Sequence, residues 1–296
     1  MSHFKTYLAL TEPAMILESR IIDTLRSLVG ESAYQIDSLG VADDHGKSFI
    51  LKINGLSVTV MFVATQLELE AWQEAVQRNI SWADAAGVMR FSRAHVVVSL
   101  AANSYDHATA IAGATAVTIV AGALAKHLPI AATVFAESNA IDDGDGIWHM
   151  AMALIAGRMP DMLWMSVRYS VGIPMADGRP TVGAATQGLL AFTGRELELD
   201  PVPLSPFEIN QCLVEIFQHL MRNGPVIKDG LPLGFGSHGK IIARFLPEGR
   251  VAAAPVIRLT LEDIPTAPQE LPPPEQKVAV QVSQETPRVV FGKRVN

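Results

Sequence analysis

Hydrophobic positions along this chain recur with two periods. Over Ser19 to Val29, Ile21, Ile22, Leu25 and Leu28 fall three and four apart, the stripe of an amphipathic helix, and Gly30 supplies its stop. The apolar run Tyr7 to Leu10 before it reads as a strand. Phe49 to Ile53 and Leu56 to Val63 are rich in β-branched and aromatic residues. Asn54-Gly55 joins them, the dipeptide favoured in a two-residue type I′ turn, so the pair predicts a hairpin. Short amphipathic helices are expected over Leu69 to Arg78 and Trp82 to Met89. The near-continuous run AHVVVSLA, Ala94 to Ala101, predicts a strand buried on both faces.

The middle of the chain alternates strand and helix. Asp106 is placed to cap a long helix reaching His127, Ile130 to Ala136 reads as a strand, and Asp145 is placed to cap a helix over Ile147 to Ala156. Two successive strand, helix, strand steps predict parallel neighbours with right-handed crossovers. From Met162 the pattern turns to strands: Met162 to Val171, Gly188 to Phe192 and Glu196 to Leu199. A helix follows with Ser205 as cap, Pro206 at the first position and Glu208 three residues after the cap. Its stripe is Ile209, Leu213, Ile216, Phe217 and Leu220, and Asn223-Gly224-Pro225 ends it. Strands over Lys240 to Leu246 and Pro255 to Leu261 complete the pattern. The expectation is one α/β or α+β domain over residues 1–263, with a mixed β-sheet and helices packed on it.

Composition changes the picture after Asp263. Six of the chain's 18 prolines lie within Ile264 to Asn296, so residues 264–296 are expected to be a disordered tail. Within it Leu271, Pro272, Pro273 and Pro274 favour polyproline II, and Phe291, Lys293 and Arg294 form a basic, aromatic tip. Such a tip on an acidic body suits a peptide ligand for a protein partner. The 296-residue chain carries 23 basic and 30 acidic residues, a net charge of -7, which offers no footprint for nucleic acid. Its single cysteine, Cys212, excludes an internal disulfide and a cysteine-built metal site and fits a reducing, cytoplasmic setting. The apolar start of the chain stops at Glu12-Pro13, shorter than a secretory segment needs. Ala108 to Ala125 is uncharged but short for a span and built largely of Ala, Gly and Thr. It is read as a buried core helix, with no membrane span expected.

Few motifs carry chemistry. Gly46-Lys47-Ser48 ends like a phosphate-binding loop, but Val41 stands where its first glycine belongs and a strand follows instead of a helix. Gly234-Phe-Gly236-Ser-His-Gly239 matches G-x-G-x-x-G, yet it too precedes a strand and reads as a turn, with His238 a weak candidate on it. The acidic run Asp142-Asp143-Gly144-Asp145 lacks the alternating ligands of a calcium loop. No metal or cofactor site is expected. If the central strands are parallel, Asn103, Asp106, His107, Glu137 and Asp142 lie along one carboxyl edge, the weak catalytic candidates of this chain. Cys212 sits in a helix interior, and no G-x-S-x-G elbow occurs.

The segments AHVVVSLA with its helix, MLWMSVRYSVG, ATQGLLAFTGRELEL (Ala185 to Leu199) and PFEINQCLVEIFQHLMRNGPVIKDGLPLG (Pro206 to Gly234) resemble bacterial domain-of-unknown-function family 4261. The likeness runs over about His95 to Leu259, with Ile80-Ser-Trp82 upstream also similar, so a family-like core spans about 80–262. Relatives often carry Trp just after the second central strand, where this chain has Phe135-Ala136-Glu137. The resemblance implies a fold and no catalytic residue. The functional expectation is a non-enzymatic, protein-binding or adaptor module. The alternative is an enzyme or small-ligand binder with its site near Asp106, His107, Glu137 and Asp142.

Overall fold

A computed structural model of the protein describes residues 4–30, 34–41, 47–79, 82–100, 106–234 and 239–262. Asn103, His238 and the tail after Asp263 lie outside these. Residues 1–263 form one unit, and its α+β fold carries two sheets. The first has the spatial order β2 (Ile36–Val41), β3 (Ser48–Ile53), β4 (Leu56–Val63), β5 (Ala94–Leu100), β1 (Phe4–Leu10), β6 (Ile130–Phe135) and β7 (Ala140–Asp143). All its neighbours are antiparallel. The second runs β11 (Pro232–Gly234), β12 (Lys240–Leu246), β13 (Val256–Glu262), β10 (Glu196–Val202), β9 (Val182–Gln187) and β8 (Ser166–Val171), with β10 and β13 parallel and the rest antiparallel.

The β3–β4 hairpin forms as its turn dictates: Asn54 and Gly55 both take positive φ, 49° and 86°, as a type I′ turn requires. The expected parallel neighbours do not form. β5 and β6 point the same way, but β1 lies between them and is antiparallel to both. The chain's first strand fills the slot that the crossover spans. The second crossover leaves the sheet altogether, since the chain after α5 (Gly146–Ile155) returns as β8 of the other sheet. β5 is buried on one face only. Ala94, Val96, Val98 and Leu100 are fully buried and the residues between them half-exposed, because β5 lies in an antiparallel sheet with two unlike faces.

Other departures have local causes. Residues 69–78 begin as a 3-10 turn, Leu69–Trp72, before α2 (Gln73–Arg78), and the next helix is α3 (Ala85–Phe91). The run from Met162 starts inside a helical turn, α6 (Asp161–Trp164), before β8. Gly188 to Phe192 is not a strand but the entry to α7 (Leu190–Thr193). An apolar run of that length fits either conformation, and Gly188 at φ 112° breaks the strand. Asp145 does not cap α5; the carboxylate of Asp143 accepts the amides of Asp145 and Gly146 at 3.1 and 2.8 Å instead.

At the centre lies α4 (His107–Ala125), long and apolar enough by composition to cross a membrane, yet with twelve of its residues buried inside the unit. It packs on β1 and β5 and against α1 (Glu18–Val29), α5 and α7. Close approach demands its small residues. A Cβ on Gly113 would fall 2.5 Å from Leu100 Cδ2, and one on Gly122 would overlap the Cβ of Ala151. Trp164 donates from Nε1 to Thr118 Oγ1 of α4 at 3.1 Å, and its ring stacks at 5.3 Å on Phe192, which meets Phe4 of β1 at the same separation. This aromatic row links the second sheet's connections to the first sheet. α8 (Pro206–Asn223) carries the expected capping box and buries Ile209, Leu213, Phe217 and Leu220.

Gly122→Ala is expected to lower unfolding free energy by about 1–3 kcal/mol, since the added methyl meets Ala151 in a close-packed crossing. Gly87→Ala, in the exposed interior of α3 with open space at its Cβ, is expected to be neutral or stabilising by about 0.5–1 kcal/mol. Urea titration of the two variants measures both effects.

Candidate functional site

Alternation along β1 sends Phe4, Thr6 and Leu8 towards α4, leaving Lys5 and Tyr7 on the opposite face, where the Tyr7 ring lies 5.2 Å from that of Trp72. Where β6 ends beside β1, Glu137 follows, and its Oε2 accepts the backbone amide of Lys5 at 3.3 Å. Lys5, Tyr7 and Glu137 form one wall of a cleft of about 530 Å³, which is also lined by Arg168 of β8, Gln187 of β9 and Ala252 to Ala254 of the β12–β13 connection.

Burial raises the Glu137 carboxyl from 4.5 to about 7, against the opposing pull of its own and the Lys5 amide and the Lys5 charge. Burial raises the Tyr7 phenol too, and the Glu137 carboxylate raises it further. A carboxyl that gains and loses its proton near neutrality thus lies within electrostatic reach of a phenol and an ammonium group, a set able to exchange a proton with a bound molecule. Across the cleft, Arg168 Nη2 donates to Gln187 Oε1 at 2.6 Å and lies 3.2 Å from the exposed Glu74 carboxylate, while its buried Nε has no acceptor among the described residues.

Two further carboxylates are structural. Glu196, 5% exposed, accepts Thr186 Oγ1 at 2.7 Å and the amides of Gly188, Leu189 and Leu190 at 2.8, 3.2 and 3.0 Å. Burial raises its pKa, but all four partners are donors, so the contacts match the ionised form and close the start of α7. Glu198, equally buried, is held below the ordinary carboxyl value. Burial alone would raise it, but the Val251 and Arg250 amides and the Arg258 guanidinium at 2.8 Å outweigh that. These bonds pin residues 250–251, and the chain from there forms the Ala252 to Ala254 rim of the cleft.

The strand-end cluster is not assembled. Of Asp106, His107, Glu137 and Asp142, Glu137 lines the cleft and the others do not. Asp106 is a helix cap: it accepts Thr109 N at 2.8 Å and Thr109 Oγ1 at 3.1 Å, bonds that hold its carboxyl below the usual value. His107 is engaged on both sides, Nδ1 at 3.0 Å from Phe192 O and Nε2 at 3.2 Å from Met221 O, clamping α4 to the last turns of α7 and α8. Asp142 belongs to β7, opposite Thr133, where burial raises its carboxyl and the Asp143 charge adds to that. The acidic loop is thus half strand, a pairing its polar sequence hides. Cys212 is buried, and burial with the Glu215 charge pushes its thiol up to about 12, so it serves as a small core residue and not a nucleophile. Among the described residues no group of three His, Cys, Asp or Glu side chains is arranged to hold a metal. Lys5, Tyr7, Arg168 and Gln187 are not legible as site residues in the sequence: Lys5 and Tyr7 belong to no motif, Arg168 and Gln187 lie in segments that carry the family resemblance without a chemical role, and the fold alone brings the four together.

Residues 185–259 match the family model described as Domain of unknown function (DUF4261), which supports that family assignment over the stretch from β9 to β13. No curated protein matches the chain, and no solved structure does.

The raised carboxyl makes stability depend on pH with a definite sign. The contribution of Glu137 is fully present below the ordinary value of 4.5 and is lost as pH rises through about 7. Relative to the wild type, Glu137→Gln is therefore expected to gain on the order of 3 kcal/mol between pH 4.5 and pH 8. Urea midpoints of both proteins at the two pH values check it. His107→Ala removes the ring that sits between two helix-end carbonyls and donates its N–H to one of them, and is expected to cost about 1–3 kcal/mol, read by the same titration.

Proposed function

We propose, beside a family match that names no chemistry, that the folded unit binds a small polar molecule bearing an anionic group in the cleft between its two sheets. Lys5 and Arg168 meet the anionic group, Gln187 orients it, and Glu137 with Tyr7 exchanges a proton with it. The observation that carries this reading is the convergence of Lys5, Tyr7 and Glu137 from one side and Arg168 from the other on one cleft of about 530 Å³, whose remaining acid, Glu196, is taken up by four donors; the cleft is within the size range of small-molecule sites. It narrows the alternative of an enzyme or small-ligand binder to one of its four candidates, Glu137.

Inorganic phosphate, citrate and glutamate are suitable probes for calorimetric titration of the full chain. At least one is expected to bind saturably, and Arg168→Met to weaken it at least tenfold, about 1.4 kcal/mol. Absence of saturable binding by all three, or unchanged binding in Arg168→Met, overturns the reading.

A second reading is a protein-binding or adaptor role for the tail. Its support is compositional: Leu271 to Pro274 and the basic, aromatic tip at Phe291, Lys293 and Arg294. Affinity purification with the full chain and with a chain ending at Asp263 is expected to recover a partner with the first alone; identical recoveries sink it.

A further inference from the structure

A second cleft, of about 470 Å³, lies between α2, α6 and the start of α8, away from Glu137. Its walls are largely apolar. Met162, Met165, Tyr169, Phe207 and Val214 line it, and at its rim Met162 is 61% and Phe207 77% exposed, unusual for side chains of that size and chemistry. Arg78, the last residue of α2, also lines it. Its Nε donates to Glu74 O at 3.2 Å, but neither terminal nitrogen has a hydrogen-bond acceptor among the described residues, although both are withdrawn from solvent. The nearest carboxylate, Glu74, stands 3.5 Å from Nη2 and is also the ion-pair partner of Arg168 at 3.2 Å. Burial and the neighbouring Arg168 charge both disfavour the Arg78 cation, and Glu74 only partly offsets them. Asn139 lines the same cleft, its buried side-chain oxygen without a hydrogen-bond partner among the described residues. The acid on the cleft wall, Asp161, is occupied by the Met162 amide at 2.9 Å and Gln218 Nε2 at 3.5 Å.

Buried guanidinium donors without acceptors are costly, and a planar carboxylate satisfies two of them at once. We propose that this cleft binds an aliphatic carboxylate, its chain lying against Met162, Met165, Tyr169, Phe207 and Val214 and its carboxylate pairing with Arg78. The unbranched, polarisable methionines suit a flexible chain. The charge selects an acid over an alcohol or amine of equal length. A small amphiphile is the occupant, since a single cation at a cleft of this size matches one head group.

Calorimetric titration of the full chain with octanoate, octanol and octylamine tests it. Octanoate is expected to bind one saturable site at least tenfold more tightly than octanol, with octylamine weaker still. Arg78→Met, its fold checked by circular dichroism, is expected to bring octanoate down to the octanol affinity while leaving octanol unchanged. Val214→Trp, which fills the cleft and leaves the charge, is expected to weaken octanoate and octanol alike. Glu137→Gln, in the other cleft, is expected to change neither, which separates this site from the one proposed above. Equal affinity for octanoate and octanol marks a general apolar docking face and overturns the assignment, as does unchanged octanoate binding in either Arg78→Met or Val214→Trp, or no saturable binding.

Discussion

A helix with no polar stripe has to be covered on every side, and α4 is such a helix. The first sheet covers one side through β1 and β5; α1, α5 and α7 cover others. Gly113 and Gly122 allow this, for each stands where a side chain would collide with a neighbouring element. Thr118 is the polar break in the buried stretch, and its hydroxyl is used twice: it donates to Ala114 O at 2.8 Å and accepts the indole of Trp164. That second bond fixes the last residue of α6, two before β8, so α4 orients the entry to the second sheet as well as the centre of the first. The cleft carrying Glu137 opens between the two sheets on the side that α4 does not fill.

Three glutamates withdrawn from solvent to different degrees show how contacts decide what a carboxyl does. Glu196 has four donors and Glu198 has two amides and an arginine, so both side chains are held in turns and loops; burial still raises the first, while the contacts outweigh it at the second. Glu137 has one long amide bond beyond its own backbone and a lysine at a distance. Burial then prevails, and its proton affinity moves to the middle of the physiological range. The same residue type in three settings gives two structural pins and one group free to exchange a proton.

Local signals were legible in the sequence and long-range ones were not. Asn54-Gly55, the Ser205 capping box and the stripe of α8 each declare themselves within a few residues, and each forms. The buried character of α4 followed from its alanines and glycines. What stayed hidden depends on distant partners. Nothing near Phe4 to Leu10 announces that this strand inserts between β5 and β6. Nothing in GLLAF says that Glu196, several residues later, captures the amides that turn it into a helix. The candidate site fared likewise: Glu137 was named from its place after a strand, on the assumption of parallel neighbours, but Asp106, His107 and Asp142 were named on the same assumption and serve as cap, clamp and strand residue. Lys5 and Tyr7 meet Arg168 only after the chain has folded across more than 160 residues.

The two clefts are neighbours through one short chain of charge. Arg78 lines one, Arg168 lines the other, and both turn to the single carboxylate of Glu74. That carboxylate is 55% exposed whereas the arginine side chains are 21% and 28% exposed, so solvent screens the anion more than the cations it serves. Glu74 is thus one anion shared between two cations, in a protein whose overall charge is -7. Cations kept half-buried against the sign of the whole surface cost desolvation that Glu74 does not return. The unpaired nitrogens of both arginines locate where that cost falls. An anion arriving in either cleft finds donors already desolvated and already oriented by Gln187 on one side and by the Glu74 backbone on the other. Pre-organised donors of this kind lose little entropy on binding.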